Sequence, residues 1–194
     1  MNNIVQILSK HPQYIEKRGF KAGKTIFLEN DTCKSIGVVK SGEIVIKSYF
    51  SNGKEVTYNV LIEGQMFGNN LVFSSNPKYR GDVIAQKESE IWFLSKENLL
   101  QILKNDEEFL VLYLTQQSDF SKRLNLKIKL LTIGGAEDRL LYYLTFNKNK
   151  INYKSITKLA DELYLTRESL SRTITKLLKS KKIKKSGKTL ELVV

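Results

Sequence analysis

Cysteine and histidine each occur once in the 194 residues, as Cys33 and His11. One cysteine cannot close an internal disulfide, build a cysteine-based zinc finger or hold an iron–sulfur cluster within one chain. One histidine removes most His-centred catalysis and multi-His metal sites. Proline (2) and glycine (11) are scarce, which excludes collagen-like and proline-rich designs. The longest apolar run, Phe109 to Leu114, is six residues, where a membrane-spanning helix needs about twenty. The first residues, Met1 to Gln6, show no basic start followed by an apolar stretch, so no signal peptide is expected. Acidic charge is short too, with 20 Asp and Glu against 32 Lys and Arg, a net charge of +12. These shortages leave a polyanion binder, or a protein with an unusually basic surface, in a reducing cytoplasm without a membrane partner. Hydrophobic residues, at 41%, suffice for a buried core.

From about Phe20 to Leu94 the pattern is short β-type runs broken by turn signals. Ile26 to Leu28, Ile36 to Val39, Ile44 to Phe50, Val56 to Ile62, Val83 to Ala85 and Ile91 to Leu94 are the runs. Ser51-Asn52-Gly53 lies between two of them, and Asn-Gly there is a strong hairpin signal. Strands at this spacing without interleaved helices predict an antiparallel sandwich or barrel.

After Leu94 the pattern turns helical. Ser95 is a good N-cap for a helix carrying Leu99, Leu100, Ile102 and Leu103. Asp106 starts a second helix with no Gly or Pro before Gly134-Gly135. Along it, Leu110, Leu114, Gln117, Ser121, Leu124, Ile128 and Leu131 step by four and three, a heptad seam with a polar centre. At ~1.5 Å per residue this helix is about 42 Å long, longer than a small β-domain is wide. A parallel dimer accounts for the seam; packing on its own domain is the alternative. Gly134-Gly135 permits a sharp change of direction between domains.

The C-terminal segment, residues 151–194, holds 11 basic side chains against 4 acidic ones. Its order is more specific than its charge. Ser155 to Leu163 reads as a short helix with Ile156, Leu159, Ala160 and Leu163 apolar. Tyr164-Leu165-Thr166 makes a turn, and Thr166 N-caps a helix from Arg167 to about Ser180. Leu170, Ile174, Leu177 and Leu178 point inward, while Arg167, Glu168, Ser169, Ser171 and Arg172 share the outward N-terminal face. This is helix-turn-helix geometry, whose second helix enters the major groove. Arginine there bonds guanine, and glutamate accepts from cytosine. Ile183 to Leu192 reads as a two-stranded wing turning at Ser186-Gly187, and Lys176, Lys185 and Lys188 are placed to meet phosphates.

Four stretches carry a family resemblance: Ser41-Gly42-Glu43; Glu63-Gly64-Gln65-Met66-Phe67-Gly68; Tyr79 to Ala85; and Leu165-Thr166-Arg167-Glu168-Ser169-Leu170-Ser171-Arg172. In this order, with a long helix and a glycine hinge between, the chain resembles the Crp/Fnr family of bacterial transcription regulators from about Phe20 to its end. The resemblance implies an α+β architecture: an N-terminal antiparallel, jelly-roll-like β-roll sensor domain (1–105), a dimerisation helix (106–133) and a C-terminal winged helix-turn-helix domain (134–194). It implies no enzymatic or metal chemistry. It implies a homodimer on palindromic double-stranded DNA with half-sites related to TGTGA or TTGAT, with RNA polymerase as a further partner. Arg167, Glu168, Ser171 and Arg172 occupy the base-reading positions.

The sensor departs from the pattern. Cyclic-nucleotide-binding members carry a Glu after Phe-Gly for the ribose and an Arg-Ser or Arg-Thr pair for the phosphate. Here Asn69 follows Phe67-Gly68, and the second segment is Arg80-Gly81-Asp82. Asp82 opposes a phosphate, so an unidentified effector other than cyclic AMP is expected and no cofactor is assigned. The candidate pocket comprises Phe67, Gly68, Asn69, Asn70, Arg80, Gly81, Asp82, Gln117 and Ser121. Gln117 and Ser121 either touch that ligand or fix the register of the dimer seam. Lys34 beside Cys33 would lower the thiol pKa and favour redox reactivity; a structural cysteine is the alternative. His11 reads as a surface residue, with haem ligation the other option. A ligand-binding β-barrel or small cupin-like enzyme with a basic tail is the competing function, and an adaptor whose tail binds RNA or membrane is a third.

Overall fold

The computed structural model describes residues 4–193, which fall into two compact units that part between Ser118 and Asp119. The first opens with α1 (Ile4–Leu8) and a 3-10 turn, Pro12–Tyr14. Eight strands follow: β1 (Glu16–Phe20), β2 (Thr25–Phe27), β3 (Ser35–Ser41), β4 (Glu43–Tyr49), β5 (Glu55–Ile62), β6 (Met66–Phe67), β7 (Asp82–Ala85) and β8 (Ser89–Ser95). They form two antiparallel four-stranded sheets, ordered β1-β8-β3-β6 and β2-β7-β4-β5. Ile36, Val38, Ile44, Val83, Ile91 and Phe93, drawn from both sheets, are buried in one core. The Asn52-Gly53 turn joins β4 to β5, with Gly53 at φ +78°. The antiparallel all-β unit expected from the strand spacing is thus observed. Two strands were not expected: β6 is only two residues long, and β1 opens with three exposed charged side chains, Glu16, Lys17 and Arg18, without alternation.

Two helices follow, α2 (Lys96–Asn105) and α3 (Glu107–Thr132). The Ser95 hydroxyl accepts from the Asn98 N–H at 3.1 Å, capping α2, whose Leu99 and Ile102 are buried. The Asp106 carboxylate caps α3 by accepting from the Phe109 N–H at 2.9 Å. Its other oxygen meets His11 Nε2 at 2.7 Å. Early in α3, Phe109 and Tyr113 join the β-core; near its end, Leu130 enters a second core.

The second unit continues with α4 (Ala136–Phe146), β9 (Lys150–Asn152), α5 (Ile156–Glu162), α6 (Arg167–Lys179), β10 (Ile183–Ser186) and β11 (Thr189–Leu192). The strands form one antiparallel sheet ordered β10-β11-β9. The wing therefore has a third strand, and α4 an unexpected place in the core through Leu140 and Leu144. Leu159, Ala160, Leu163, Leu170, Ile174, Leu177, Ile183 and Leu190 complete that core.

Candidate nucleic-acid interface and effector site

Local chemistry sets the turn between α5 and α6. The Ser155 hydroxyl caps α5 through the Lys158 N–H at 3.2 Å. At its other end Leu165 N–H donates to the Ala160 carbonyl (2.9 Å) and Tyr164 N–H to that of Asp161 (3.1 Å). This is the paired bonding of a Schellman motif, whose left-handed position is normally glycine. Tyr164 fills it at φ +55°, a strained conformation for a bulky side chain. Thr166 then caps α6, its hydroxyl accepting from the Ser169 N–H at 3.1 Å.

An arginine from α4, absent from the expectations above, braces this turn. Arg139 Nε donates to the Ile133 carbonyl at 2.7 Å. Its Nη1 donates to the carbonyls of Tyr164 at 2.9 Å and Leu163 at 3.4 Å. Those carbonyls are left without helical partners where α5 ends, and a guanidinium fork answers them. The Lys127 ammonium lies 5.6 Å from the Tyr164 ring centroid.

On α6 the buried face is Leu170, Thr173, Ile174 and Leu177, while Arg167, Glu168, Ser171, Arg172 and Lys176 are exposed. Ser169 is half-buried and its carbonyl accepts from the Thr173 hydroxyl at 2.9 Å. Ser171, Arg172, Thr175, Lys176, Lys179 and Ser180 line an open groove of ≈ 610 Å³. Lys185 and Lys188 are exposed on β10 and the wing turn. Lys176 Nζ sits 2.7 Å from one oxygen of Glu137, in the first turn of α4, and Lys182 Nζ 2.8 Å from the other. The two ammoniums, Lys176 foremost, hold the Glu137 carboxyl down to about 2.

In the first unit, Phe67 is buried and Gly68 bends away at φ +75°. A Cβ on Gly68 would come 3.0 Å from both Cys33 Sγ and the Ser35 carbonyl, so only glycine turns here without displacing them. Asn69 is engaged with α3 through its side-chain N–H and its main-chain carbonyl. Its side-chain amide donates to Gln117 Oε1 at 3.1 Å, and its carbonyl accepts from Gln117 Nε2 (2.8 Å) and the Tyr113 hydroxyl (3.0 Å). Burial raises the Tyr113 hydroxyl pKa. Asn70, Arg80 and Ser121 are exposed.

The Arg80 carbonyl accepts from the Ser48 hydroxyl at 3.0 Å, and Asp82 Oδ1 accepts from the Glu29 N–H at 2.7 Å. A Cβ on Gly81 would meet the Lys47 carbonyl at 2.6 Å, which explains glycine between them. Asn69 and Gln117 are therefore brought together, and Arg80, Gly81 and Asp82 run along β7 and its approach.

Cys33 is buried, and its thiol donates to the carbonyls of Ser35 (3.2 Å) and Gly68 (3.6 Å). Burial pushes the thiol pKa up, opposite to the lowering that Lys34 suggested. The buried Tyr79 hydroxyl lies beside it. His11 is half-buried against Asp106 rather than free on the surface. Among the described residues no group of three or more His, Cys, Asp or Glu is placed to hold a metal ion. Nor, among them, is any helix long and apolar enough to cross a membrane.

The cyclic nucleotide-binding domain family matches residues 17–106, from within β1 through α2. The probable transcriptional regulator flp of Lacticaseibacillus casei is 24% identical over 190 residues, 94% of this chain and 83% of that protein. The chain thus carries a cyclic nucleotide-binding domain and is similar to Crp/Fnr-type transcription regulators. Among solved structures, the chain resembles the catabolite activator protein of Thermus thermophilus, at 20% identity and a TM-score of 0.57. That match covers 97% of this chain and 90% of the other. It also resembles a CooA mutant from Carboxydothermus hydrogenoformans, at 18% identity and a TM-score of 0.63, over 98% of this chain and 91% of that one. At these identities the two structures bear on the fold, which is the α+β architecture expected. The relatives are transcriptional regulators, not enzymes.

Proposed function

We propose that the chain is a Crp/Fnr-type transcription regulator, a homodimer that reads a palindromic double-stranded DNA site through α6 under control of an effector other than cyclic AMP. The observation that carries the reading is the division of α6. Leu170, Ile174 and Leu177 are buried while Arg167, Glu168, Ser171 and Arg172 stand exposed at its capped N-terminal end, the end that meets base edges in this motif. Lys185 and Lys188 serve as phosphate contacts beside it. Residues 134–194 are the DNA-binding domain, 106–133 the dimer helix and 1–105 the sensor.

Support for the dimer is the state of the seam on α3. Leu114, Leu124, Ile128 and Leu131 are 54%, 47%, 54% and 51% exposed, a cost that pairing with a second copy removes. Leu110 is half-buried. Support for an effector other than cyclic AMP is chemical. The Asn69 amide is taken up by Gln117 and offers no ionised acceptor to a ribose. Asp82 adds negative charge where a phosphate would need the opposite. Gln117 thus acts at the sensor turn and Ser121 in the seam. RNA polymerase is the further partner of the reading.

Selection of DNA sequences by the purified protein, reduced and without effector, tests it. An enriched palindrome with two half-sites about one helical turn apart is the expected result. Arg172→Ala then weakens the selected site by about 1–3 kcal/mol and blurs one base position, whereas Lys185→Ala weakens all sequences alike. Equal loss on selected and random DNA for Arg172→Ala removes it from the reading role.

A further inference from the structure

We infer that Glu137 is an intramolecular stand-in for a DNA phosphate, which sets the sequence-independent affinity and salt dependence of the α6 face. The inference rests on the DNA-reading role proposed for α6. Lys176 lies one helical turn after Arg172 and lines the same groove, so its ammonium belongs to the surface that would follow the backbone. It is not free: its Nζ meets one oxygen of Glu137 at 2.7 Å, while Lys182, leading into β10, meets the other at 2.8 Å. Two like charges are thereby drawn to one carboxylate. A carboxylate and a phosphate both present forked anionic oxygens to an ammonium. Either can therefore satisfy this pair, but only one at a time.

Glu137 is itself poised for exchange. Its side chain is 23% exposed, and the Lys176 side chain is 73% exposed, so both lie within reach of solvent and a strand. Asp138, next in α4, adds further negative charge near Lys176. DNA approaching this face must displace a carboxylate before it gains either lysine. With Glu137 neutral, the same two ammoniums would repel one another and bind phosphates directly.

The test is Glu137→Gln, which keeps the side-chain shape and an oxygen acceptor, in the full-length protein. Binding to random and selected DNA is measured against salt, with circular dichroism as the check on folding. Each phosphate newly neutralised steepens the slope of log K against log salt by about 0.9. Freeing one or two lysines therefore widens the affinity change between about 50 and 200 mM salt by roughly 3- to 12-fold. The gain appears on both DNAs, because phosphate contacts carry no sequence information. In a Lys176→Gln/Lys182→Gln background the same Glu137→Gln substitution leaves the slope unchanged.

A wild-type slope in folded Glu137→Gln overturns this inference alone, and so does an undiminished effect in the lysine-free background. Wild-type protein that binds no DNA overturns the DNA-reading role and this inference together.

Discussion

Arg139→Met tests whether one side chain from α4 holds the helix-turn-helix in shape. Methionine keeps the aliphatic stem and deletes the guanidinium fork. Of the three bonds lost, those to Ile133 (2.7 Å) and Tyr164 (2.9 Å) are short, and that to Leu163 (3.4 Å) is long enough to be counted as nothing. Bonds from a charged donor are worth about 1.5–3 kcal/mol each. The one at Tyr164 is exposed and must be discounted for screening. The expected loss is about 2–3 kcal/mol.

With a slope near 1 kcal/mol per molar urea for a unit of this size, the midpoint falls by about 2 M or more. Urea unfolding of the full chain followed by circular dichroism reads this change. Fluorescence of Trp92, the single tryptophan, reports on the first unit. The Leu165 N–H, bonded to Ala160 across the braced turn, should exchange with solvent about 30-fold faster or more, since each 1.4 kcal/mol is tenfold. Arg139→Lys should recover at most half, because one ammonium cannot reproduce the planar fork. A midpoint shift below about 0.5 M, or a lysine variant equal to wild type, would refute the bracing role.

Ile128→Glu places a carboxylate in the proposed dimer seam; sedimentation should show dimerisation weakened about 100-fold or more, and an unchanged dimer would remove α3 from that interface. Asp106→Asn probes a carboxyl held below its ordinary 3.8, first by the His11 hydrogen bond and then by the Phe109 N–H. A depressed carboxyl stabilises the fold above its unfolded pKa and loses that effect as pH falls through the lowered folded value. The variant should therefore be about 1 kcal/mol less stable near neutrality, with the gap closing in acid; a gap independent of pH contradicts the assignment. Cys33 in native protein should resist a thiol-specific disulfide reagent and titrate as one thiol per chain in urea, because it is buried and its pKa is raised; rapid native labelling would contradict this.

Where a feature depends on neighbours in sequence, it was legible. Ser95 and Thr166, both expected as caps, each bond an amide three residues on; Ser155, expected inside its helix, caps it in the same way. The apolar spacing of α6 fixes which face turns inward, and with it the exposed Arg167 and Arg172. By contrast, β1 gave no signal. It is an edge strand whose side chains mostly face water, so nothing selects alternation, and only its pairing with β8 makes it a strand. The helix α4 did carry a signal, in Leu140, Leu141 and Leu144 behind Glu137 and Asp138; the glycine pair before it marks a break in the chain and masks the short apolar helix on its far side.

By itself, then, the sequence determined the helix caps at Ser95 and Thr166, the hairpin turn, the apolar faces and the exposed N-terminal end of α6, because these rest on hydrogen bonds and periodicities spanning a few residues. Only the tertiary structure decided what the remaining polar groups do. Asn69 is spent on Gln117, 48 positions away, Arg139 braces a turn 25 positions away, and Glu137 claims Lys182, 45 positions away. Such partners come within reach only once the intervening chain has packed, and nothing in the identity of a single asparagine, arginine or glutamate says which distant group will meet it.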